Sequence, residues 1–563
     1  MMTPMADHPH FDTEAEDAKL NVIRDKEQED LAKILAGKHG LQYTDFSVVP
    51  VNADALRLIP EIKAREAEAV AFARVSKRLS LAVHHPDNVA LQGVIAELES
   101  RGFTIEKFLV SKQGLDRALG RYADLSYASV STAGVFDVSS PEFLDLSAKL
   151  TSVAGLATHL TETLAQKKGA KTSRIFEEVV MAALSMKASD IHMEPEENDV
   201  RLRLRLDGIL TDAFTFDHKT YRLINSRVKL LSGLKLNVEN RAQDGRFTIA
   251  VSGTEVEVRT SIIPGGYGES IVLRILDPNA LNRTSSGMGI HSKLLARLQT
   301  EMRRPNGMLL TTGPTGSGKT TTLYTFLREI HTPDIKIVTI EDPIEYHLPG
   351  IVQTQTEGKD YTFASGLRSI LRQDPDVILV GEIRDAEVAE TAMQAALTGH
   401  FVFSTLHTNN AAGTFPRLVD LGVDPKVFAS AITVAMAQRL LRTLNPETRK
   451  ARPSTDAEKK MMEQILSTVT DKSLLPASLD TVYDAVGDDQ GNTGYKGRTG
   501  VYEAIFMDEE LGIFLRDNPS ESDIAHNVLR QGFLTMTQDG ILKVLAGVTT
   551  FEELQRVVEL PRM

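Results

Sequence analysis

The chain has 563 residues, of which 42% are hydrophobic and 25% charged, a composition typical of folded domains that excludes disorder over most of its length. Its 63 basic and 76 acidic side chains leave a net charge of −13, which argues against a chain-wide role in wrapping nucleic acid. The absence of cysteine excludes disulfides and thiolate metal sites, and at roughly 150 residues per domain the length predicts three or four domains.

The first 30 residues carry nine acidic and three basic side chains with few apolar ones, which predicts a flexible acidic arm over 1–30. They have neither the positive start nor the apolar core of a signal peptide. No apolar run in the sequence approaches the roughly 18 residues of a membrane-spanning helix. We therefore expect a cytoplasmic chain without a transmembrane segment of its own.

Short strands and helices alternate between 31 and 125, as in the apolar run 79–83 and the helically spaced apolar residues of 89–98. This pattern predicts a small α/β domain. The region 126–170 is richer in Ser, Thr, Ala and Gly and predicts a linker with one helix.

The region 171–280 shows the alternation of strands that are covered on one face only. In 200–206, apolar residues alternate with three arginines that are expected on the exposed face, and the following Asp-Gly pair predicts a hairpin turn. A second Asp-Gly pair, at 244–245, predicts another turn before the alternating strand 256–259. We expect a second α/β domain here.

In 281–563, strand, loop and helix follow one another repeatedly. Four short apolar runs are typical of strands buried on both faces of a parallel sheet, namely 308–312, 335–340, 377–380 and 401–405. The tail after 410 is predicted to be mostly helical. A polar insertion at 446–495 interrupts it, and we expect a mobile loop or a helical arm there.

The residues that follow the first of these runs match the phosphate-binding pattern G-x-x-x-x-G-K-[ST]. They are Gly313, Pro314, Thr315, Gly316, Ser317, Gly318, Lys319 and Thr320, and Thr321 continues into a predicted helix. Glycines let backbone N–H groups turn inward around phosphate oxygens, and the helix N-terminus adds its positive dipole. Lys319 is expected to reach the β- and γ-phosphates of ATP, and the Thr320 hydroxyl to bind Mg²⁺.

Acidic residues that could hold the metal ion and orient water follow the next two strands. Glu341, Asp342 and Glu345 come after the second run, and Glu382 and Asp385 come after the third. Ligands bind at the carboxyl ends of the strands in open parallel sheets, so we expect these carboxylates at the nucleotide site. For any single one of them, a charge at a helix N-terminus remains the alternative.

Four motifs in this order resemble the ATPases of the type II secretion and type IV pilus family, over roughly 40–563. After the phosphate loop, IVTIEDPIEY resembles the family's Asp box, RQDPDVILVGEIRD its Walker B motif and TGHFVFSTLHTNNA its His box. The resemblance implies an α/β fold with a RecA-like P-loop NTPase domain at 281–563, whose C-terminal part is helical. Two smaller α/β domains would precede it: a partner-binding domain at 31–125 and one at 171–280 that contributes arginines to the nucleotide site.

The resemblance also implies roles for individual residues. Glu345 is similar to the family's catalytic acid, which polarises the attacking water, and Glu382 to the residue that holds Mg²⁺ through a water, while the division of labour between them stays open. His407 is similar to the residue that senses the γ-phosphate, whereas for His400 both a functional and a structural role stay open. Four arginines match family contacts to the nucleotide phosphates, the first two being supplied by the preceding domain: Arg259, Arg274, Arg368 and Arg372.

Two features of the family are missing from the sequence. Many members carry two CxxC pairs that bind zinc in the C-terminal part, and a chain without cysteine has no such zinc site. The RLG-type repeat with which some N-terminal domains of the family bind cyclic-di-GMP is not found either. No site for that ligand is predicted.

These observations predict an ATP-hydrolysing motor, a hexamer, that powers pilus or pseudopilus assembly or protein secretion across the bacterial envelope. It would lie at the inner membrane through protein partners, a platform protein and an adaptor met by 31–125. Two N-terminal domains favour an assembly or secretion motor over the family's shorter retraction motors. A DNA-transport or conjugation ATPase is the alternative, although the acidic charge disfavours nucleic acid as a partner. A non-hydrolysing scaffold would not need Glu345, Glu382 and His407 together.

Overall fold

The structure is a computed structural model that describes most of the chain: residues 28–49, 51–56, 58–75, 77–124, 129–132, 135–137, 146–165, 171–251, 254–278, 284–488 and 491–560. The predicted acidic arm at 1–30 therefore lies outside the described residues, apart from 28–30, which begin a helix that runs over 28–38.

The N-terminal unit is a four-stranded sheet covered by short helices. The strands lie in the order β1 (Gln42–Tyr43), β4 (Thr104–Leu109), β3 (Arg78–Val83) and β2 (Ala69–Val75). The helices are Ala53–Leu56, Glu61–Glu66, Val89–Ser100 and Lys112–Leu119. The last two begin at side-chain caps, because Asn88 accepts from the Ala90 N–H and Ser111 from the Gly114 N–H, both at 2.9 Å. This is a small α/β unit in the region where the sequence predicts one.

The second unit is built on an eight-stranded sheet. Its strands lie in the order β5 (Ser129–Thr132), β6 (Val135–Asp137), β10 (Gln243–Val251), β11 (Thr254–Gly265), β12 (Gly268–Leu276), β7 (Asp190–Pro195), β8 (Val200–Leu206) and β9 (Ile209–Phe216). Three helices pack on it: Val153–Ala165, Lys171–Ser185 and His218–Leu231. Val200, Leu202 and Leu204 of β8 are fully buried and its arginines lie on the other face, as the alternation predicts. The predicted Asp207-Gly208 hairpin turn joins β8 to β9, with φ of +47° and +89°.

Two details of this unit differ from the predictions. The Asp-Gly pair at 244–245 lies inside strand β10 and forms no turn; a side chain at Gly245 would meet the carbonyl oxygen of Ser232 at 2.5 Å, so this glycine allows a close backbone approach. The region 126–170 contains the predicted helix, but it also supplies strands β5 and β6, and β6 pairs in parallel with β10. Strands of three or four residues are too short to show a periodic pattern, which is why the sequence predicts a linker here.

One buried carboxyl in this unit makes its stability depend on pH. Glu178 lies between the helices Val153–Ala165 and Lys171–Ser185 and accepts from the Thr163 hydroxyl at 2.8 Å, yet burial raises its pKa to about 7. A raised carboxyl pKa means that the folded chain binds the proton more tightly than the unfolded chain. The contribution is therefore complete below pH 4.5 and is lost as the pH rises to 7, by at most about 3 kcal/mol.

We expect Glu178→Gln to raise the melting temperature at pH 8, where the buried wild-type carboxyl must ionise, and to leave the melting temperature nearly unchanged at pH 5. Thermal unfolding followed by circular dichroism at the two pH values measures this difference. Glu239→Gln, at an exposed position of the same unit, is the control. An equal gain at both pH values would contradict the raised pKa.

The third unit is a seven-stranded sheet with helices on both faces. The strands lie in the order β15 (Val352–Gln355), β14 (Ile337–Glu341), β16 (Val377–Val380), β17 (Phe401–Leu406), β13 (Gly307–Thr312), β18 (Ile432–Leu444) and β21 (Tyr495–Phe506). All neighbours are parallel except β18 and β21. Alternate residues of the central strands point into separate cores. One core includes the helices Phe363–Ile370, Ala386–Leu397 and Thr414–Asp420, and the other Ser292–Glu301 and Lys319–Ile330. The four predicted central strands are thus present within two residues.

The C-terminal part differs from the predicted helical tail. Helices are present at Glu509–Leu515, Glu521–Asn527, Met536–Leu545 and Phe551–Val557, but the long strands β18 and β21 belong to the central sheet. The polar insertion 446–495 forms an antiparallel pair, β19 (Lys450–Pro453) and β20 (Thr481–Asp484), around a helix at Asp456–Leu466. Buried Met462 and Val482 join it to a core shared with Leu554, so it is a packed element. Periodicity alone did not separate buried strand from helix in this stretch.

The described part of the chain contains no helix that combines the length and the hydropathy needed to cross a bilayer.

Candidate nucleotide site

The phosphate-binding loop connects strand β13 to the helix Lys319–Ile330. Gly313, Gly316 and Gly318 have φ of +149°, +80° and +91°, a range that favours glycine. A side chain at Gly313 would meet the Ser317 hydroxyl and the Gln438 carbonyl oxygen, each at 2.7 Å. Only glycine fits there, and the backbone of the loop curves around the space at the N-terminus of the helix.

Lys319 is the cation of this loop. Its ammonium donates to the carbonyl oxygens of Gly313 at 2.7 Å and Pro314 at 3.2 Å. Burial lowers the pKa of this lysine to about 8, and the nearby Glu382 carboxylate acts in the opposite direction. Lys319 is therefore still mostly protonated at pH 7, and a phosphate can replace the two carbonyl oxygens.

The loop and its surroundings fit a triphosphate with a magnesium ion. The hydroxyl of Ser317 is buried and has no hydrogen-bond partner among the described residues. Thr320, in the first turn of the helix, is exposed. Hydroxyl and carboxylate oxygens are the ligands that Mg²⁺ prefers, and Thr320 and Glu382 provide both kinds near the loop.

The segment after strand β14 is anchored by Glu341, which the sequence groups with the carboxylates expected at the nucleotide site but which the structure buries. Glu341 accepts from the hydroxyls of Tyr324 and of Thr339, the latter at 2.6 Å, and from the Gln353 amide at 3.2 Å. Burial raises the pKa of both Glu341 and Tyr324. The Tyr324 hydroxyl, which belongs to the helix after the phosphate loop, also accepts from the N–H of Glu345 at 3.4 Å. The Asp box is thereby fixed to the phosphate-loop helix; no sequence signal distinguishes the buried Glu341 from its exposed neighbours.

Glu345 meets an arginine of the preceding domain. Arg259, on strand β11, donates from Nη1 to the Glu345 carboxylate at 2.7 Å and from Nη2 to the Ile344 carbonyl. About a quarter of the Arg259 side chain and a third of the Glu345 side chain are exposed. The expected arginine therefore reaches the nucleotide domain, where it pairs with the expected catalytic acid.

Arg259 belongs to a row of charged residues across the second sheet. It lies opposite Arg246 on one side and Arg274 on the other. The ion pair described for Arg274 lies within its own domain, with Asp190 at 3.1 Å, and Arg205 pairs with the same carboxylate. The row borders a cavity of about 630 Å³ that the Asp box closes on its other side.

The sequence analysis does not name Arg246 as a candidate. It lies on strand β10, directly opposite Arg259 and on the same face of the sheet. The three arginines of strand β8, expected on an exposed face, are paired there. Arg203, for example, pairs with Glu194 at 2.5 Å.

Glu382 lies between a histidine and an arginine at the ends of strands β16 and β17. Its carboxylate contacts the His407 imidazole at 3.3 Å and the Arg384 guanidinium, and Arg384 also approaches Asp342 at 3.9 Å. The Glu382 side chain is only 14% exposed, whereas half of His407 is. Glu382 and His407 are thus brought together as expected, and Arg384 is an additional member of this cluster.

Three candidates lie elsewhere. Arg368 pairs with Glu387, and Arg372 donates to the Arg368 carbonyl at 3.0 Å. Both are exposed, on the helix Phe363–Ile370 and the turn after it, and their described contacts do not include the phosphate loop. His400 contacts the Ala395 carbonyl at 3.2 Å at the opposite end of β17 from His407, which favours its structural role.

Comparison with known proteins gives a family match over most of the chain. A family model described as Type II/IV secretion system protein matches residues 165–556, and a second, described as MshEN domain, matches residues 39–128. The type II secretion system protein E of Dickeya dadantii is 42% identical over 388 residues, which are 69% of this chain and 75% of that protein. The type IV pilus assembly ATPase PilB of Myxococcus xanthus is 33% identical over 536 residues, 94% of this chain and 90% of that protein. Among solved structures, the ATPase DotB of Legionella pneumophila is 24% identical, covers 68% of this chain and 94% of its own, and has a TM-score of 0.48.

Proposed function

The chain belongs to the Type II/IV secretion system protein family, and from this premise we propose that it is a hexameric ATPase that drives pilus assembly or protein secretion by moving its second domain against its nucleotide domain. ATP hydrolysis as a motor of secretion or pilus assembly is the activity of this family. The observation that carries the proposed movement is the contact of Arg259 with Glu345, which joins the two domains at the edge of the nucleotide site.

The phosphates would lie against the glycines of the loop, with the Lys319 ammonium exchanging its two carbonyl partners for phosphate oxygens. Thr320 would hold Mg²⁺ directly and Glu382 through a water. When bound, the metal offsets the negative charge of the triphosphate. Within the chain, Arg384 and His407 contact the Glu382 carboxylate and hold it in place.

Glu345 is the residue that would orient and polarise the attacking water. In this structure its carboxylate is occupied by Arg259. For hydrolysis, Arg259 has to turn toward the γ-phosphate, where it offsets developing charge, and Glu345 is then free to accept a hydrogen bond from water. Because the two residues belong to different domains, this exchange of partners changes the contact between the domains.

The same exchange explains how hydrolysis would perform work. When the phosphate leaves, Arg259 returns to Glu345. Because Arg259 belongs to strand β11 of the second domain, that domain moves with it. In a ring of six chains such movements would pass from one subunit to the next. We place the chain in the cytoplasm at the inner membrane, attached through a platform protein and an adaptor bound by the N-terminal domain.

The proposal is tested in two ways with the full chain. Purified protein should release phosphate from ATP at a rate that double-stranded DNA does not change, and cells that carry Glu382→Gln in the chromosomal copy should lack surface pili or secreted proteins. Stimulation by DNA over several-fold, together with normal pili and secretion in the variant cells, would favour the DNA-transport alternative. Absence of hydrolysis in the presence of solubilised inner membranes would contradict the motor.

A further inference from the structure

The loop that carries His407 is held by charged side chains of the C-terminal part of the chain. After strand β17, residues 407–411, here called the sensor loop, cross the end of the central sheet. Its start is fixed to the strand before the phosphate loop, because the Thr312 hydroxyl accepts from the Thr408 N–H at 2.8 Å. The next three residues are each bound from a different C-terminal element.

The three contacts involve three consecutive residues: the backbone of Asn409, the side chain of Asn410 and the backbone of Ala411. Arg439 of strand β18 donates from Nη2 to the Asn409 carbonyl at 2.6 Å. The Asn410 amide donates to Glu521 of the helix Glu521–Asn527 at 2.6 Å, and the Ala411 N–H donates to Glu503 of strand β21 at 2.8 Å. Three charged side chains therefore bind one short loop, whereas loop backbone groups in most folds are satisfied by other backbone groups or by water.

Glu503 also reaches beyond the loop. Its second carboxylate oxygen accepts from the N–H of Met536, the first residue of the helix Met536–Leu545, at 3.0 Å. One carboxylate thus joins the sensor loop to a C-terminal helix. Glu503 pairs across the sheet with Ala437, so Arg439, two residues on, is its diagonal neighbour on the same face.

Arg439 is equally connected on its other side. Arg439 is only 9% exposed, and its Nη1 packs close to Gly313 of the phosphate loop. A Cβ atom added at Gly313 would lie 3.1 Å from this Nη1. The adjacent Gln438 donates to the Ser317 carbonyl of that loop at 2.8 Å. Desolvation lowers the pKa of Arg439 and raises that of Glu503. Burying these two ionisable side chains costs free energy that an apolar pair would avoid.

We propose that Arg439 and Glu503 are positioning residues that hold the sensor loop between the phosphate loop and the helix Met536–Leu545, and so transmit the nucleotide state at His407 to the C-terminal part of the chain. The inference rests on the proposed role of His407 at the γ-phosphate. According to this inference, a change at the γ-phosphate alters the position of the C-terminal helices. Arg439 and Glu503, which lie outside the four motifs, connect the two.

Glu503→Gln is the decisive variant. A glutamine of the same shape has one carbonyl oxygen, so it can accept from Ala411 or Met536 but not from both. The link is broken while the packing is kept. We expect turnover at saturating ATP to fall about tenfold or more, the scale on which partners of directly acting groups matter, with KM for ATP unchanged. Arg439→Lys, which keeps the charge but not the fork, should act in the same direction, and the two changes combined should be less than additive.

Hydrogen–deuterium exchange with the non-hydrolysable analogue AMP-PNP and Mg²⁺ tests the transmission without depending on hydrolysis. In the wild type the analogue should slow exchange in the phosphate loop, the sensor loop and the start of the helix Met536–Leu545. In Glu503→Gln the helix response should be lost while the phosphate loop stays protected. Arg442→Met is the matched control: Arg442 is another largely buried arginine of β18, paired with Glu553 at 2.9 Å, and should leave all three responses intact.

The outcomes separate the two ideas. A wild-type chain whose phosphate loop is not protected contradicts the nucleotide site itself. Protection of the phosphate loop with no response of the helix in the wild type, or the same helix response in Glu503→Gln, contradicts the transmission. A variant that loses both kcat and ATP affinity together has only a structural role.

Discussion

Lys319→Ala is expected to reduce ATP turnover by a factor of at least about 10² to 10³ and to weaken ATP binding, the loss found when a single preorganised charge donor is removed from a reacting group. Lys319 is the cation at the mouth of the phosphate loop, and its ammonium already lies among backbone carbonyls at 2.7 and 3.2 Å. Although burial lowers its pKa to about 8, it is mostly protonated at neutral pH and offers its charge to the β- and γ-phosphates.

The measurement is steady-state phosphate release, combined with binding of a fluorescent ATP analogue to the same preparations. Lys336→Ala is the control, because Lys336 belongs to the same domain but lies before strand β14, where it contacts the Gln373 carbonyl. It should leave turnover within about twofold of the wild type, as expected for surface changes. Turnover of Lys319→Ala within the same range would exclude the phosphate loop as the reacting site.

The nucleotide domain was predictable because its local signals agree with its tertiary structure. A strand buried on both faces, a glycine loop and a helix N-terminus each have a sequence pattern, and together they place Lys319 without further information. The same holds for Glu382 and His407, which follow neighbouring strands and therefore meet at one edge of the sheet.

Other parts of the site depend on contacts between distant residues, which a single sequence does not encode in any local pattern. Glu341 and Glu345 are four residues apart in one motif, yet one is buried against Tyr324 and the other faces Arg259. Nothing in their spacing separates the two. Arg274 is opposite Arg259 in the sheet, but it forms an ion pair with Asp190 on the next strand.

The C-terminal part shows the limit of periodicity. Strand β18 begins with a buried run that is apolar apart from Thr433, which fits a buried helix as well as a buried strand. Its identity is decided by pairing with β13 and β21, at separations of more than 50 residues. Arg439 and Glu503, two of the residues that contact the sensor loop, lie on these two strands, and no local pattern indicates their role.

The second large effect is expected from Arg259→Ala. Arg259 is the described contact between the second domain and Glu345, with Nη1 at 2.7 Å from the carboxylate. Arginines brought to a phosphate by another domain contribute about 10³ to 10⁵ in related reactions, so we expect turnover to fall by about 10³. ATP binding should stay close to the wild-type value, because the phosphates are held by a loop on the other domain.

A double-mutant cycle with Glu345→Gln tests whether the two residues act as a unit. If Arg259 must release Glu345 before either can act, the double variant should be hardly slower than the slower single variant. Arg203→Ala is the matched control, since this arginine lies on the same sheet but pairs with Glu194 inside its own domain. Strictly additive losses would mean that Arg259 and Glu345 work independently. A wild-type rate in Arg259→Ala would make the second domain a spacer, because the charge that links it to the reaction would then be dispensable.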